Sequence, residues 1–204
     1  MSHYFINDKQ VASFERKIEF DLLDKHFTLK TDNGVFSKAQ IDSGTSIFLK
    51  VLVPLDLGKK ILDLGAGYGT IGLVLAHFHP QASITLADIN ERALHLCEVN
   101  AHDLGVSNRV TCITSDIYAN IEEKFDSIVI NPPIRAGKKV TYAMYEGAKQ
   151  HLIDGGSLYI VIRKAQGAES ASKYLESIFG NISLLKRTRG YYVLKASKNE
   201  QLDK

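Results

Sequence analysis

Apolar and polar residues alternate at every second position near the N-terminus. The alternation covers residues 18–22 and 26–30, and Asp32-Asn33-Gly34 follows the second run. A period of two predicts half-buried strands, and Asn followed by Gly predicts a turn. Between residues 45 and 52 the apolar positions repeat at helical spacing instead. We therefore predict a short β-rich extension, or flap, over residues 1–44.

Beyond residue 60, apolar runs of strand length alternate with helical stretches. Such an alternation predicts a mostly parallel sheet covered on both faces. Only residues 188–190 separate the last two strands, which predicts an antiparallel hairpin. The expected fold class is α/β: a doubly wound, mostly parallel seven-stranded sheet with an antiparallel C-terminal hairpin, in a domain over residues 45–198. The predicted strands are residues 61–64, 83–87, 110–114, 126–130, 157–162, 182–186 and 191–195, and the predicted helices are 70–78, 91–104, 140–152 and one after Gly167.

The composition is that of an ordinary folded domain. Of the 204 residues, 45% are hydrophobic and 24% are charged, so the chain can bury a full core. The net charge of +2 is too small to identify a nucleic-acid-binding protein by itself. The first residues lack a long apolar core, and no later run has the length of a membrane span. We therefore expect a cytoplasmic protein without a membrane partner.

The two cysteines do not indicate a metal site. Cys97 and Cys112 lie in apolar surroundings without the close spacing of zinc ligands or of a thiol pair. We expect them to be core residues, and we expect no bound metal.

A glycine-rich loop follows the first strand of the predicted sheet. It reads Asp63-Leu64-Gly65-Ala66-Gly67-Tyr68-Gly69, where a doubly wound fold brings its backbone close to a nucleotide. The dinucleotide fingerprint is incomplete because Thr70 stands where it needs glycine or alanine. A carboxylate at Asp63 would also repel a pyrophosphate. A cofactor with a cationic end and no phosphate suits this loop better, and S-adenosylmethionine is such a cofactor.

Acidic residues also follow the next two strands. Asp88 comes 23 positions after Gly65, within the range at which an acidic residue binds ribose hydroxyls. Asp116 follows the third strand, where its carboxylate can accept from an adenine amino group while Ile117 packs on the ring. Each aspartate alone is also explained as a helix N-cap. Acidic residues at the ends of three successive strands favour one shared cofactor site.

The fourth strand ends in Asn131-Pro132-Pro133. Proline at the end of a strand breaks no ladder, and its fixed φ makes a rigid corner. There the amide oxygen of Asn131 and the carbonyl of Pro132 can each accept one hydrogen of a planar NH2 group. This pairing would direct the nitrogen lone pair toward an electrophilic methyl group. The alternative is a turn that only stops a strand.

Together these segments resemble a known family. DLGAGYG, Asp88, Asp116 and NPP are similar to class I S-adenosylmethionine-dependent methyltransferases of the small-domain group, which modify exocyclic or amide nitrogens. Gly34-Val35-Phe36-Ser37, Asp42-Ser43-Gly44 and NPPIRAGK resemble bacterial small-subunit ribosomal RNA guanine-N2 methyltransferases. The resemblance extends from about residue 31 to residue 195.

The resemblance implies transfer of a methyl group from S-adenosylmethionine, with S-adenosylhomocysteine as product, to guanine N2 in small-subunit ribosomal RNA. It implies ribosomal RNA or the small subunit as partner, for a monomer or weak homodimer. Asn131 and Pro132 would be catalytic. The implied cofactor-binding residues are Asp63, Gly65, Ala66 and Gly67 for the methionyl side, and Asp88, Ile89, Asp116, Ile117 and Asn131. The implied substrate-binding residues are Phe36, Pro133, Ile134, Arg135 and Lys138.

One departure from the family concerns the target base. The relatives often have an aromatic residue after NPP that stacks on the base, whereas this chain has Ile134. Phe36 or Tyr142 is the expected substitute. Arg135, Lys138 and Lys139 favour a nucleic acid, because phosphates need local positive charge.

Three other interpretations stay open at this point. A protein glutamine amide presents the same planar NH2 group as a nucleobase amine. A non-catalytic RNA-binding or ribosome-assembly factor can share the fold. A nicotinamide dehydrogenase is disfavoured by Asp63 and by the GxGxG spacing.

Overall fold

The computed structural model describes residues 14–33 and 41–199, which contain nine strands and five α-helices. The strands are β1 (Arg16–Leu22), β2 (Lys25–Thr31), β3 (Lys60–Leu64), β4 (Ser83–Asp88), β5 (Val110–Thr114), β6 (Phe125–Ile130), β7 (Leu152–Arg163), β8 (Ser183–Thr188) and β9 (Tyr191–Ser197). The α-helices are α1 (Ser43–Leu52), α2 (Thr70–Phe78), α3 (Glu91–Asp103), α4 (Lys138–His151) and α5 (Ala168–Phe179).

Seven of the strands form one sheet in the order β5-β4-β3-β6-β7-β9-β8. The five strands from β5 to β7 are parallel, whereas β9 is antiparallel to both β7 and β8. The predicted fold class is therefore confirmed. The chain builds outward from β3 to β5 and then returns to place β6 on the other side of β3. This reversal creates a switch point between β3 and β6, where open α/β sheets bind ligands.

Helices cover both faces of the sheet because the inner strands are apolar on both sides. On one face, α1, α2 and α3 pack on a buried cluster that includes Val129, Val161 and Val193. On the other face, α4 and α5 pack on a second cluster that includes Ile128 and Ile160. Successive residues of β6 and β7 thus point into different cores, as the strand period of two requires.

The N-terminal strands β1 and β2 form a separate antiparallel hairpin. Its buried residues, among them Phe27 and Leu29, belong to the same core cluster as α2 and α3. The ring of Phe27 lies 6.1 Å from that of Phe78 at the end of α2. The division of the chain into residues 1–44 and 45–198 stays a prediction, and the hairpin face is part of the main core.

The junction of α4 and β7 differs from the sequence prediction. We expected a loop over residues 153–156, but β7 begins at Leu152, directly after α4. Leu152 pairs with Phe125, and the register then shifts before Ser127. A Cβ atom at Gly156 would lie 2.9–3.0 Å from three backbone carbonyl oxygens, so this bulged strand needs glycine where the sequence indicated a turn.

The cysteines are closer to each other than their sequence separation indicates. Cys97 is fully buried, and its thiol donates to the carbonyl oxygen of Gly67 at 3.1 Å. Burial, and then contact with the thiol of Cys112, raises the pKa of Cys97 well above its ordinary value. Cys97 is buried as expected, whereas Cys112 on β5 is only partly buried, and the two thiols lie close together because α3 packs against β5.

Membrane-spanning helices and clusters of metal ligands are both absent from residues 14–33 and 41–199. There, no helix combines the length and apolar character needed to cross a membrane. No three His, Cys, Asp or Glu side chains in this part of the chain come together as metal ligands.

Asn100 of α3 joins the hairpin to α3 and to the glycine loop. Its side chain accepts from the backbone N–H of Lys30 at 2.7 Å and donates to the carbonyls of Lys30 and Tyr68 at 2.9 and 3.0 Å. Asn100 is 1% exposed, so its removal leaves buried backbone groups without partners.

We predict that Asn100→Ala lowers the free energy of unfolding by about 2–4 kcal/mol, as measured by urea denaturation. The matched control is Glu98→Ala on an exposed position of the same helix, which should change the free energy by less than about 0.5 kcal/mol. Equal effects of the two substitutions would contradict the fastening role of Asn100.

Candidate active site

A cavity of about 430 Å³ lies at the carboxyl ends of the parallel strands. The loops after β3, β4, β5 and β6 line it, together with the start of α1 and the end of β7. The predicted site residues that line the cavity are Gly65, Ala66, Gly67, Asp88, Ile89, Asp116, Ile117, Asn131, Pro132, Pro133, Ile134 and Arg135. The lining does not include Asp63 or Lys138. Phe36 and its neighbours from Gly34 to Ser37 lie outside the described residues.

The backbone N–H groups of the glycine loop are already used within the protein. Those of Gly65 and Ala66 both donate to the carbonyl of Ala87, at 2.8 and 3.0 Å. Gly67 donates to the carboxylate of Asp88 at 2.8 Å, and Gly69 donates to the carbonyl of Ala66. Gly65, Gly67 and Gly69 have φ angles of 77°, 58° and 93°, a region that favours glycine. The N–H groups of Gly65, Ala66, Gly67 and Gly69 are therefore not free to bind an anion.

Asp88 holds the loop from the end of β4. One carboxylate oxygen accepts from Gly67, and the other accepts from the backbone N–H of Asn90 at 2.9 Å. Burial raises the pKa of Asp88 above its ordinary value, and these hydrogen bonds act in the opposite direction. The backbone N–H of Ile89 also donates to this carboxylate, so about one of its four lone-pair positions remains for a ligand. The N-cap of α3 is Asn90, so Asp88 does not serve as that cap.

Asp63 lies beneath the glycine loop. One of its oxygens accepts from the backbone N–H of Gly72 at 2.7 Å, while Oδ1 is buried without a hydrogen-bond partner among the described residues. A Cβ atom at Gly72 would lie 2.1 Å from the side chain of Leu86, so glycine is required for α2 to pack this closely. Burial, with the negative charge of Asp88 as a smaller cause, raises the pKa of Asp63 to about 7.

The loop after β5 presents Ile117 to the cavity in a constrained backbone conformation. Ile117 has a φ of 53°, which is unusual for a β-branched residue. The buried Ser115 holds this conformation, because its hydroxyl donates to the carbonyl of Ile117 at 2.9 Å. Sequence reasoning missed Ser115. Asp116 is exposed beside it at the cavity wall.

Asn131 contacts the start of α1. Its Nδ2 donates to Oδ2 of Asp42 at 3.1 Å and to the hydroxyl oxygen of Thr45 at 3.0 Å. Asp42 is also the N-cap of α1, accepting from the backbone N–H groups of Gly44 and Thr45. Asp42 and Thr45 line the cavity with Asn131 and Pro132.

The prolines after Asn131 form the tight corner that the sequence predicts. The carbonyl of Pro132 accepts from the backbone N–H of Ile134 at 2.8 Å. A carbonyl oxygen has two lone pairs, so this bond leaves one acceptor position on Pro132. Asn131 and Pro132 both line the cavity, so the amide oxygen and this remaining carbonyl position are the acceptors that the two residues can offer a ligand.

Arg135 and Arg163 bring positive charge to the cavity. Both are exposed and contribute to its lining. The Arg163 guanidinium lies 5.6 Å from the ring centroid of Tyr191, which also lines the cavity. The sequence contains no signal for Arg163 or Tyr191, because only the antiparallel pairing of β7 with β9 makes them neighbours.

Tyr142 does not reach the cavity. Its ring stacks on Tyr174 with 3.9 Å between centroids, and its hydroxyl contacts Ser170 on α5. Of the two expected substitutes for the family aromatic, Tyr142 is thus engaged between α4 and α5. The other, Phe36, is outside the described residues.

Comparison with known proteins identifies close relatives of this chain. The family model named Methyltransferase small domain matches residues 26–195. The uncharacterized protein YbxB of Bacillus subtilis is 41% identical over 198 residues, which are 96% of this chain and 98% of that protein. The ribosomal RNA small subunit methyltransferase C of Hamiltonella defensa is 34% identical over 85% of this chain and 51% of its own length.

A solved structure shares the fold of nearly the whole chain. The 16S rRNA N2 G1207 methyltransferase RsmC of T. Thermophilus, in complex with AdoMet and guanosine, superposes with a TM-score of 0.82 and 27% identity. The match covers 92% of this chain and 52% of that protein. The chain thus spans about half the length of its relatives that are named as ribosomal RNA methyltransferases.

We predict that Asp63→Asn removes a pH dependence of stability. A carboxyl group with a raised pKa binds its proton more tightly in the folded protein, so ionisation destabilises the fold as the pH rises from the ordinary value of 3.8 to about 7. The variant should therefore match the wild type near pH 4 and be more stable at pH 8 by roughly 2–4 kcal/mol. Urea denaturation of both proteins across this range measures the difference. A difference that does not change with pH would contradict the raised pKa.

Proposed function

The chain belongs to the methyltransferase small domain family, and on that premise we propose that it methylates an exocyclic amino nitrogen of a nucleobase with S-adenosylmethionine as donor. The proposed acceptor is guanine N2 in small-subunit ribosomal RNA. The observation that carries the proposal is that the glycine loop, whose N–H groups are already engaged, and the Asn131-Pro132 corner border the same cavity.

The chemistry of the loop fits a cationic cofactor. A pyrophosphate needs free backbone N–H groups at such a loop, but Gly65, Ala66 and Gly67 have already donated theirs to Ala87 and Asp88. Free lone pairs on carboxylates and carbonyls suit an ammonium group and hydroxyl groups instead. A nicotinamide dinucleotide contains a pyrophosphate, so the engaged N–H groups of this loop also disfavour a nicotinamide dehydrogenase.

The residues proposed to hold the cofactor follow from this fit. Asp88 accepts from the ribose hydroxyls, and Asp116 and Ile117 bind the adenine side. Gly65, Ala66 and Gly67 form the backbone surface for the methionyl part, and the buried Asp63, which does not line the cavity, contributes negative charge beneath that surface. When bound, S-adenosylmethionine supplies an electrophilic methyl group on a sulfonium.

The proposed catalytic role of Asn131 and Pro132 is to align the acceptor amine. A conjugated NH2 group is a weak nucleophile because its lone pair is delocalised into the ring. Two oxygen acceptors that each take one N–H hydrogen fix the plane of the amine and direct its lone pair out of that plane. Alignment, rather than removal of a proton by a strong base before transfer, thus lowers the barrier. The N–C bond forms as the S–C bond breaks, and the methylated nitrogen then loses its surplus proton to water.

A nucleic-acid acceptor is supported by Arg135, Arg163 and the named relatives. Guanidinium groups pair with phosphates through bidentate hydrogen bonds, and they stack on bases. Their position at the cavity suits an acceptor base that is attached to a charged backbone. Relatives that match this chain over about half their length are named as ribosomal RNA methyltransferases, and the solved structure among them is named for N2 methylation of G1207 in 16S rRNA.

We predict that Asn131→Ala lowers kcat by about 100-fold or more, while the affinity for S-adenosylmethionine changes by less than about threefold. The assay is transfer of tritiated methyl groups to small ribosomal subunits and to free RNA, both from cells that lack the gene. Calorimetry with the cofactor verifies that the variant still folds and binds.

The location of the label separates the competing functions. Label in RNA as N2-methylguanine supports the proposal, whereas label in protein identifies a glutamine-amide methyltransferase. A wild-type protein that binds no S-adenosylmethionine is instead a non-catalytic factor. Undiminished turnover by Asn131→Ala would contradict the role of the asparagine.

We predict that the Arg135→Ala/Arg163→Ala double variant raises KM for RNA and makes it less dependent on salt. Each lost phosphate contact reduces the slope of log affinity against log salt concentration by about 1. The matched control is Lys17→Ala/Lys25→Ala, two exposed lysines of the β1–β2 hairpin outside the cavity lining, which should leave both quantities unchanged. An equal slope for both pairs would contradict phosphate contact at the cavity.

A further inference from the structure

The contact between Asn131 and the start of α1 restricts how the asparagine side chain can be oriented. Asn131 and Asp42 are 89 positions apart in the sequence, and Thr45 lies one helical turn after Asp42. Asn131 is half-buried and Thr45 is 6% exposed. Water therefore does not readily replace these hydrogen bonds.

Only one of the two orientations of the amide satisfies its neighbours. An ionised carboxylate accepts hydrogen bonds but cannot donate them. The hydroxyl of Thr45 donates its proton to Oδ2 of Asp42 at 2.7 Å, so its oxygen is also an acceptor toward Asn131. Both neighbours therefore require the NH2 group. A flipped amide would bring its oxygen against two other oxygens.

The orientation of the NH2 group decides the position of the amide oxygen. With Nδ2 held by Asp42 and Thr45, Oδ1 of Asn131 lies on the opposite side of the amide. It accepts no hydrogen bond from residues 14–33 or 41–199. This free oxygen is the acceptor that the proposed function assigns to the substrate amine.

We propose that Asp42 is a positioning residue for methyl transfer: together with Thr45, it locks the Asn131 amide with its oxygen directed to the acceptor amine. The proposal rests on the proposed function for the identity of that amine. It explains why the N-cap of α1 borders the cavity and contacts a corner that is distant in sequence. A flipped amide would present its NH2 group to another NH2 group and would prevent alignment.

Asp42 also caps α1, so the experiment must separate capping from positioning. Ser is a good N-cap residue, but its side chain is too short to replace the contact with Asn131. Asp42→Ser should therefore lower kcat by about 10–100-fold, with little change in KM for RNA or in the affinity for S-adenosylmethionine. Asp42→Asn should be at least about fivefold more active than Asp42→Ser, because one amide oxygen can still accept from Asn131 and Thr45.

The discriminating test uses a second background, in which Asp42→Ser is expected to raise kcat instead of lowering it. An aspartate at position 131 has two equivalent acceptor oxygens, so its orientation no longer matters, and the carboxylate of Asp42 would now repel it. Asp42→Ser should therefore lower kcat in the wild-type background but raise it at least about threefold in the Asn131→Asp background. A residue that acts only as a cap would lower kcat by the same factor in both backgrounds, which would overturn the proposal.

Thr45 provides a second test in case Asn131→Asp does not fold. Thr45→Val removes the hydroxyl with little change in volume, whereas Thr45→Ser keeps it. We expect Thr45→Val to have a kcat at least about tenfold below that of Thr45→Ser. Equal kcat values for the two variants would overturn the proposal.

An NMR measurement distinguishes a failure of this proposal from a failure of the proposed function. In the free wild-type protein, the Asn131 side-chain NH2 protons should show NMR contacts to the Thr45 methyl group and should exchange slowly with water. Asp42→Ser should weaken these contacts and make the exchange faster. Fast exchange in the wild type would show that the Asn131 amide is not held in one orientation, and it would overturn the proposal whatever the substrate is. A locked amide in a protein that methylates no RNA would leave the lock in place and overturn the proposed function.

Discussion

The hydrogen bonds from the glycine loop to the end of β4 are the interactions on which the rest of the site depends. They join the carboxyl ends of two neighbouring parallel strands and use the N–H groups that would otherwise bind an anion. These N–H groups are therefore not available to a ligand. Burial raises the pKa of the Asp63 and Asp88 carboxyl groups around the loop. A cationic or hydroxyl-rich ligand compensates the negative charge that these groups carry when they are ionised.

The sequence was sufficient to predict the fold and the loops of the site. Continuous apolar strands, separated by helices, leave few arrangements other than a doubly wound sheet, and parallel strands place all their carboxyl ends at one edge. Gly67, Asp88, Asp116 and Asn131 could therefore be assigned to one site from their positions after strands. The structure places these residues around one cavity.

Other features could not be read from the sequence because they depend on packing between distant segments. Asp63 lies two positions before the first glycine of the loop, but its carboxylate is buried beneath the loop because α2 approaches closely at Gly72. The contact of Asp42 with Asn131 requires the start of α1 to pack beside the end of β6. Arg163 and Tyr191 become neighbours only because β9 inserts between β7 and β8. In each case the local sequence pattern does not indicate which distant residue becomes the contact partner.

Ile117 illustrates a conflict between thermal robustness and ligand binding. A branched side chain at a φ of 53° stores strain of about 1–3 kcal/mol, and Ser115 holds the backbone in that state. Glycine or asparagine at position 117 would relieve the backbone strain but would remove apolar side-chain atoms from the cavity wall. Directed evolution for heat resistance would thus favour replacements that selection for turnover rejects, and this single position marks where the two goals diverge.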